Sequence, residues 1–289
     1  MTSWAGSRGF PSVKKTTDAV EYFEPTQGGF CSNMNMLFYC YLRAMKNTDS
    51  LYVHDYPNCI SDIFPLFQTI LKTNSTVKYL KDIPNGSKKI VFKDVMSPNL
   101  VNMPFSRLKT IARDLFSYNP DTQGTIMERI RGRGLERTVF DVGVHIRSGD
   151  KITTGEMKRI NVGDYVNAIS LFQQRIGKPN LKIFIMTDNM FLYDQLQKAS
   201  PSTWSFTTLE EPGFYNQNGH VQALFNSLTS EKKLDLFYQF LTELHIMQNI
   251  PNLVLSFSSH IGRFLYLTSR LISTKDNVIS VDIPEWSPY

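Results

Sequence analysis

The second half of the chain alternates between two kinds of apolar spacing. Short runs of β-branched and aromatic residues predict strands, and longer segments with an apolar residue every three or four positions predict helices. The predicted strands cover 139–146, 181–186, 203–207, 253–257 and 278–283. The helices between them cover 162–175, 191–198, 231–248 and 261–272. This alternation predicts an α/β class with right-handed βαβ units and a mostly parallel sheet.

The first half shows the same alternation less regularly. It predicts helices at 34–45, 60–72 and 105–116, and strands at 51–54 and 89–92. Gly28 and Gly29 precede the first of these helices. Two interpretations of the glycine pair stay open: a plain turn, or a site where an anion approaches the unpaired amides of a helix N-terminus.

A polar, glycine-bearing stretch at 119–137 separates the two halves. It predicts a boundary between an N-terminal α/β domain, 1–135, and a C-terminal Rossmann-like domain, 136–289. Four arginines lie close together in this stretch: Arg129, Arg131, Arg133 and Arg137. They form either a solvated helix end and linker or a basic rim near bound phosphates.

Composition predicts a folded protein whose partner carries negative charge. Of the 289 residues, 42% are hydrophobic and 20% are charged, and the net charge is +5 with a pI near 9.0. This charge suits nucleic acid, a membrane surface or an enzyme for a negatively charged nucleotide. Consecutive basic residues occur in pairs such as Lys14 and Lys15, without an aromatic stripe, which argues against a nucleic-acid partner.

The sequence lacks the marks of a membrane or disulfide-linked protein. No apolar run approaches the ~18 residues that span a bilayer, and residues 1–9 are polar and glycine-rich rather than signal-like. Cys31, Cys40 and Cys59 form neither a CxxC pair nor an even set. We therefore expect a soluble, cytoplasmic protein with reduced thiols, no integral membrane segment and no metal site.

The segment 139–151, V-F-D-V-G-V-H-I-R-S-G-D-K, is a strand that ends in a cluster of charges. Its apolar residues suit a strand covered on both faces. Ligands of open parallel sheets bind outside the carboxyl ends of the strands. The segment places there His145, Arg147, Asp150 and Lys151. Arginine and lysine suit a diphosphate, and a carboxylate and an imidazole suit proton transfer or hydrogen bonding to a sugar or base.

Two more predicted strands end in polar residues, at 187–189 and 258–260. Because all three strands belong to one parallel sheet, we expect their carboxyl ends to converge. Structural interpretations stay open beside the functional ones. His145 suits a core position, and Asp188 suits a helix N-cap.

Similar alternatives apply further along the chain. Ser258 and Ser259 suit the N-cap of the helix at 261–272, although a capping serine with free amides behind it is also a phosphate site. Glu243 and His245, within the long helix at 231–248, suit a solvated face.

These motifs resemble the core α1,6-fucosyltransferase family, which includes the animal enzyme of N-glycan cores and the rhizobial nodulation-factor enzyme. The resemblance rests on G-V-H-I-R-S-G-D-K at 143–151, Glu156, Tyr165, F-I-M-T-D-N at 184–189 and L-V-L-S-F-S-S at 253–259. It covers 139–267 and is faint earlier, where 28–31 is similar to a glycine-cysteine turn of the family.

The resemblance implies a GT-B architecture, with two Rossmann-like domains whose parallel sheets face each other across a cleft. The C-terminal domain would hold the nucleotide-sugar donor, and the N-terminal domain would face the glycan acceptor. It also implies metal-independent transfer with inversion, and no cofactor besides the nucleotide sugar.

Individual roles follow from the same resemblance. Arg147 would clamp the donor diphosphate, and His145 would contact the nucleoside. Asp150 and Lys151 would lie beside the sugar and the leaving phosphate. Glu156 would be the general base, with Asp188 as the second candidate. Glu243 would be the carboxylate that accepts hydrogen bonds from guanine. The further donor-binding residues would be Tyr165, Ser258, Ser259, Gly28 and Gly29.

Departures from the family pattern leave the donor open. Ser148 stands where the animal enzyme has a second arginine, Asn189 replaces a second aspartate, and Phe30 stands where the family often has glycine. Glu243 favours a GDP-sugar, because guanine presents two adjacent donors to a carboxylate and uracil does not. GDP-fucose is therefore the favoured donor, a UDP-sugar such as UDP-xylose is the alternative, and a catalytically silent module that binds a glycan or nucleotide is a third interpretation.

Overall fold

Two parallel β-sheets, one from each half of the chain, organise the computed structural model. The residues that it describes are 21–26, 29–47, 50–54, 66–72, 76–80, 84–90, 103–148, 155, 160–209, 219, 224–225, 227–272, 274–284 and 286. The α/β class with two parallel sheets is confirmed, and the boundary at 135/136 stays a prediction. Within the described ranges, no helix combines the length and the hydropathy needed to cross a membrane.

The first sheet has the strand order β3-β2-β1-β4, with parallel pairing throughout. Its elements are β1 (Glu21–Phe23), α1 (Phe30–Asn47), β2 (Leu51–His54), α2 (Leu66–Ile70), β3 (Val77–Leu80) and β4 (Lys88–Lys89). The apolar pattern predicts α1 and β2 but not the short strands β1 and β3. Parts of two predicted elements, 60–65 and 91–92, lie outside the described residues.

Two helices follow the first sheet, α3 (Phe105–Leu115) and α4 (Pro120–Gly132). The sequence analysis predicts α3, but the interpretation of 119–137 as a linker is wrong for the residues of α4. The side chain of Asn119 accepts a hydrogen bond from the Thr122 amide at 2.8 Å, and Pro120 opens the helix where no N–H is needed. This capping sequence starts a helix despite the polar composition.

The second sheet has the order β7-β6-β5-β8-β9 and is also parallel. Its elements are β5 (Val142–Ile146), α5 (Val162–Ile176), β6 (Leu181–Thr187), α6 (Met190–Ala199), β7 (Trp204–Thr207), α7 (Ser230–Gln248), β8 (Leu253–Leu255), α8 (His260–Thr268) and β9 (Val278–Ser280). From β5 the chain winds outward through β6 and β7, then returns to the other side of β5 for β8 and β9. The order therefore reverses between β5 and β8, and such a switch point is where open α/β sheets bind ligands.

Strand β5 is buried on both faces, as expected. Val144 belongs to the apolar cluster that contains Phe172 of α5. Gly143 faces α7, where an added Cβ would lie 2.8 Å from the sulfur of Met247. The strand starts later than predicted, since Val139 is 75% exposed.

Aromatic residues join the two halves of the chain in one apolar core. The rings of Phe116 and Phe264 lie 5.2 Å apart, and Phe105 stacks on Tyr266 at 4.6 Å. Helix α8 therefore packs against α3, and it packs against α1 as well, while α7 packs against α4. Helices α7 and α8 of the second half thus contact helices of the first half. These contacts fix the glycine turn before α1 relative to the switch point.

Candidate active site

Polar residues collect at the carboxyl ends of four neighbouring strands of the second sheet. The register pairs Ile146 of β5 with Thr187 of β6, and the chain continues from these residues into Arg147 and Asp188. Strand β8 pairs in parallel with both β5 and β9, so the turns that follow β8 and β9 lie on the same edge. The three clusters expected from the sequence therefore lie together, and β9 adds a fourth.

Arg147 and Asp188 form an ion pair in which each side chain is 12% exposed. Oδ2 of Asp188 binds the guanidinium, and Oδ1 accepts a hydrogen bond from the Ser148 amide at 2.9 Å. Both carboxylate oxygens are thus engaged by the segment that follows β5. The pair fixes the guanidinium of Arg147 at the carboxyl edge of the sheet.

Ser148 and Asn189, two positions where the motif departs from the resembled family, bind each other. Nδ2 of Asn189 donates to Oγ of Ser148 at 3.1 Å, and both residues are buried. Oδ1 of Asn189 accepts from the Leu192 amide at 3.0 Å, so Asn189 is the N-cap of α6. The alternative that Asp188 caps this helix is therefore wrong, and Asp188 binds Arg147 instead.

The turn after β8 contains Ser258 and Ser259, which have different partners. Ser259 caps α8, because its Oγ accepts from the Ile261 amide at 3.3 Å. Ser258 donates to Asp282 through both its amide and its hydroxyl. Ser259 with the first amides of α8 is therefore the part of this turn that matches an anion site.

The sequence analysis missed Asp282 as a residue of the candidate site. It also accepts from the Phe257 amide at 2.8 Å, so it organises the whole turn after β8. Burial raises the pKa of Asp282, but hydrogen bonds, those from Ser258 foremost, outweigh this effect and hold the pKa below its usual value. The predicted strand 278–283 includes Asp282, whereas the observed strand ends at Ser280, which places Asp282 just after its carboxyl end, as in the other three clusters.

His145 and Tyr165 are both buried beside this edge. Burial first, and then the charge of Arg147, lower the pKa of His145 to about 3, so its imidazole is neutral at pH 7. Nδ1 of His145 has no hydrogen-bond partner among the described residues. Burial raises the pKa of Tyr165, which keeps its hydroxyl protonated. Both groups can form hydrogen bonds to a ligand, but neither is suited to accept a proton at neutral pH.

The glycine turn before α1 lies close to the turn after β8. Asn35, in the second turn of α1, donates from Nδ2 to the carbonyl of His260 at 3.0 Å. This bond fixes the start of α1 against the start of α8. Gly29 lies in this turn, whereas Gly28 lies outside the described residues. Two helix N-termini therefore approach each other here, and both interpretations of the glycine pair, a plain turn and an anion site, stay predictions.

Glu243 and His245 are buried within α7, so the interpretation as a solvated helix face is wrong. Every residue from 241 to 248 is buried, because this half of α7 is enclosed by the shared core. Burial and then the charge of Arg270 lower the pKa of His245 to about 4. Carboxylates are rarely buried unless they are paired or bind a ligand, so the burial of Glu243 is compatible with its assigned role.

Three of the assigned catalytic residues, Asp150, Lys151 and Glu156, lie outside the described residues. Their roles stay predictions. Among the residues that are described, no three His, Cys, Asp or Glu side chains lie together as a metal site. Arg147 and the N-terminal amides of α8 are the groups of the described site that suit an anion.

These features define a two-sheet α/β protein of the GT-B type, in which polar residues meet at the switch point of the second sheet. Fucosyltransferase NodZ from Bradyrhizobium has a similar structure, with a TM-score of 0.53 and 12% identity over 87% of this chain and 93% of NodZ. NodZ α-1,6-fucosyltransferase soaked with GDP-fucose also matches, with a TM-score of 0.53 and 12% identity over 86% of this chain and 92% of NodZ. POFUT1 in complex with GDP gives a TM-score of 0.50 at 10% identity, over 87% of this chain and 96% of POFUT1.

No protein-family model matches the sequence, and no curated protein does. At 10–12% identity the structural similarity establishes a shared fold. The GT-B architecture implied by the motifs at 139–267 is thereby confirmed, and the chain has the fold of these fucosyltransferases.

Proposed function

We propose that the chain is a metal-independent, inverting glycosyltransferase that moves fucose from GDP-fucose to a glycan hydroxyl. The observation that carries the proposal is the position of Arg147. It lies at the carboxyl end of β5, is held by Asp188, and faces the same switch point as the N-terminus of α8. The choice of donor is supported by the fold shared with NodZ, a fucosyltransferase that was soaked with GDP-fucose, and with POFUT1, which was solved in complex with GDP.

The proposed chemistry follows from the charge that develops on the leaving group. The sugar–oxygen bond to the diphosphate breaks, and GDP leaves with that electron pair. Without a metal ion, the negative charge must be stabilised by protein groups that are already oriented toward it. Arg147 supplies a planar guanidinium that matches phosphate oxygens, and the amides behind Ser259 supply a helix N-terminus.

A general base must take the proton of the acceptor hydroxyl on the opposite face of the sugar. Both oxygens of Asp188 are engaged by Arg147 and Ser148, which favours a positioning role for Asp188. We therefore assign the base to Glu156. By the same resemblance, Asp150 and Lys151 are assigned to positions beside the sugar and the leaving phosphate.

Recognition of the base is assigned to buried groups of the second half. Glu243 is 3% exposed, and a carboxylate pairs with the two adjacent donors of guanine. The neutral imidazole of His145 and the hydroxyl of Tyr165 add hydrogen-bonding groups. This set favours GDP over UDP, because uracil has no matching pair of donors.

Thermal unfolding of the full chain with GDP or UDP tests the donor. A nucleotide at 100 times its Kd stabilises a protein by about 2.7 kcal/mol, which we expect to raise Tm by roughly 4–5 °C with GDP. Transfer from GDP-fucose to glycan acceptors is then measured with and without EDTA, with no expected loss. A shift with UDP alone contradicts GDP-fucose as donor, and binding without transfer to any acceptor indicates a silent binding module.

Substitution of Arg147 tests the site itself. We expect Arg147→Ala to abolish GDP binding in calorimetry. Because this change leaves Asp188 without its ion pair, Arg147→Lys is the second variant. It keeps the charge but loses the bidentate geometry, so we expect at least about tenfold weaker binding. Arg131→Ala, on the exposed end of α4, is the control, and unchanged GDP affinity in both Arg147 variants would refute the assignment.

A further inference from the structure

A cavity of about 260 Å³ lies between α4, α7 and the end of β7. Its described lining consists of Arg129, Gly132, Arg133, Leu209, Gln239 and Thr242. Small-molecule sites usually have volumes of about 300–1,000 Å³, so this cavity suits a single sugar ring or a smaller group. None of the residues assigned above to donor binding or catalysis lines it.

Arg129 is held in a fixed orientation by α7. Its Nη2 donates to Oδ1 of Asp235 at 2.6 Å, and its guanidinium carbon lies 6.0 Å from the centre of the Tyr238 ring. A guanidinium has five N–H donors in a rigid plane. Within the described part of the chain, the bond to Asp235 uses one of its three nitrogens, which leaves donors for a ligand.

The described lining of the cavity carries positive charge. Arg133, at the C-cap of α4, adds a second guanidinium, and no carboxylate is among the described lining residues. A helix C-terminus repels anions through its free carbonyls, but here the amides of Gly134 and Leu135 donate to the carbonyls of Arg131 and Ile130. The two arginines therefore determine which ligands the cavity attracts.

Leu209 places the cavity on the same sheet edge as the candidate donor site. It follows β7, which is separated from β5 by β6. Strands lie about 4.8 Å apart, so the end of β7 is roughly 10 Å from the end of β5. The cavity therefore lies beside the candidate donor site, at the β7 side of the sheet edge.

We propose that the cavity binds an anionic group of the acceptor glycan, a sugar carboxylate or a sulfate ester. Arginine forks match both oxyanions, and charge-assisted hydrogen bonds are stronger than those to neutral hydroxyls. Gln239 adds an amide that can bond to the neighbouring sugar hydroxyls. The proposal rests on the proposed glycosyl transfer, since it names a substrate class for that reaction.

The test is an NMR titration of the full chain with glucuronic acid, glucose 6-sulfate and neutral glucose, with and without saturating GDP. Arg133→Gln removes one guanidinium. Gly132→Leu fills the cavity at constant charge, because a Cβ at Gly132 meets nothing within 4 Å. Arg131→Gln is the matched control: Arg131 lies at the same end of α4, is 62% exposed and is outside the described lining.

We expect at least one acidic sugar to bind about tenfold or more tightly than glucose, and both cavity variants to weaken it by about tenfold. Arg131→Gln should change the affinity less than about twofold. Binding of glucuronic acid alone identifies a carboxylate ligand, and binding of the sulfate alone identifies a sulfate ester. Equal affinity for all three sugars overturns the proposal. So does a loss of affinity in Arg131→Gln as large as the loss in the two cavity variants. If acidic sugars bind but GDP does not, the donor assignment fails and the cavity assignment stands.

Discussion

Gly262, in the first turn of α8, is the residue whose substitution most directly tests how the candidate site is built. An added Cβ would lie 2.1 Å from the carbonyl oxygen of Ser256 and 3.0 Å from its carbonyl carbon. Both atoms belong to the backbone, so no side-chain rotation relieves the overlap. Ordinary contact begins near 3.4 Å, and α8 or the turn after β8 must therefore move by roughly an ångström.

Two measurable effects follow from that movement. Overpacking costs about 1–3 kcal/mol, and we expect Gly262→Ala to cost about 3 kcal/mol because the obstacle is backbone. For a chain of this size, the loss lowers Tm by roughly 5 °C. The same movement displaces Ser259 and the first amides of α8 relative to Arg147, so we expect GDP affinity to fall by at least about tenfold.

Gly163→Ala is the matched control. Gly163 also lies in the first turn of a helix, α5, but an added Cβ there meets nothing within 4 Å. Since alanine favours a helix over glycine by about 1 kcal/mol, the control should melt at or slightly above the wild-type temperature. Circular dichroism measures Tm, and calorimetry measures GDP affinity. If Gly262→Ala matches the control in both assays, the close approach of α8 to Ser256 does not shape the site.

Three further predictions concern stability. Because the folded pKa of Asp282 is depressed, its stabilisation is present above the ordinary aspartate pKa near 3.8 and is lost as pH falls through the folded value. Asp282→Asn should thus lower Tm by several degrees at pH 7 and by progressively less as the pH falls below about 3.8, and a pH-independent loss would contradict this. Lys109 is buried, donates to the Ile272 carbonyl at 2.9 Å, and has a pKa lowered to about 7 by burial and then by the neighbouring arginine charge. The contribution of Lys109 to the free energy of unfolding rises with pH between about 7 and 10.5. The stability gained by Lys109→Met over wild type should therefore be largest at pH 6 and smallest near pH 10. Urea unfolding at both pH values measures this gain, and a gain that does not change with pH refutes the prediction. Asn119→Ala removes the cap bond to Thr122 and should cost about 1 kcal/mol in urea unfolding, whereas an unchanged midpoint would show that α4 is fixed by packing alone.

The sequence was sufficient to predict the second sheet and the edge on which its polar residues meet. Its strands are apolar runs closed by polar clusters, and parallel pairing forces their carboxyl ends together. The in-register pairing of β5 with β6 then explains why Arg147 meets Asp188. What the apolar pattern did not reveal is Asp282, because the apolar residues up to Ile283 extend the predicted strand past it, whereas the observed strand β9 ends at Ser280.

The helix α7 was predicted, but the exposure of its residues was not, because burial there depends on the neighbouring elements rather than on the pattern of the helix itself. The residues 241–248 contain Glu243 and His245, which the sequence analysis assigned to a solvated face, yet tertiary packing buries every residue of this half of α7. Helix α4 was missed for a different reason. Its polar, glycine-bearing composition resembles a linker, whereas the Asn119–Pro120 capping sequence is a local start signal that composition does not record.

The bond between Ser148 and Asn189 changes the meaning of the departures from the resembled family. In that family the two positions carry an arginine and an aspartate. The presence of serine and asparagine in this chain therefore removes one charge of each sign and leaves the net charge of the sheet edge unchanged. In this chain the two side chains are buried and bound to each other, and Asn189 caps α6. They therefore belong to the scaffold, and Arg147 is the one arginine of the motif. Among the described residues, the groups that suit the proposed diphosphate are then Arg147 and the N-terminus of α8, which is why we expect Arg147 and Gly262 to be the described positions most sensitive to substitution.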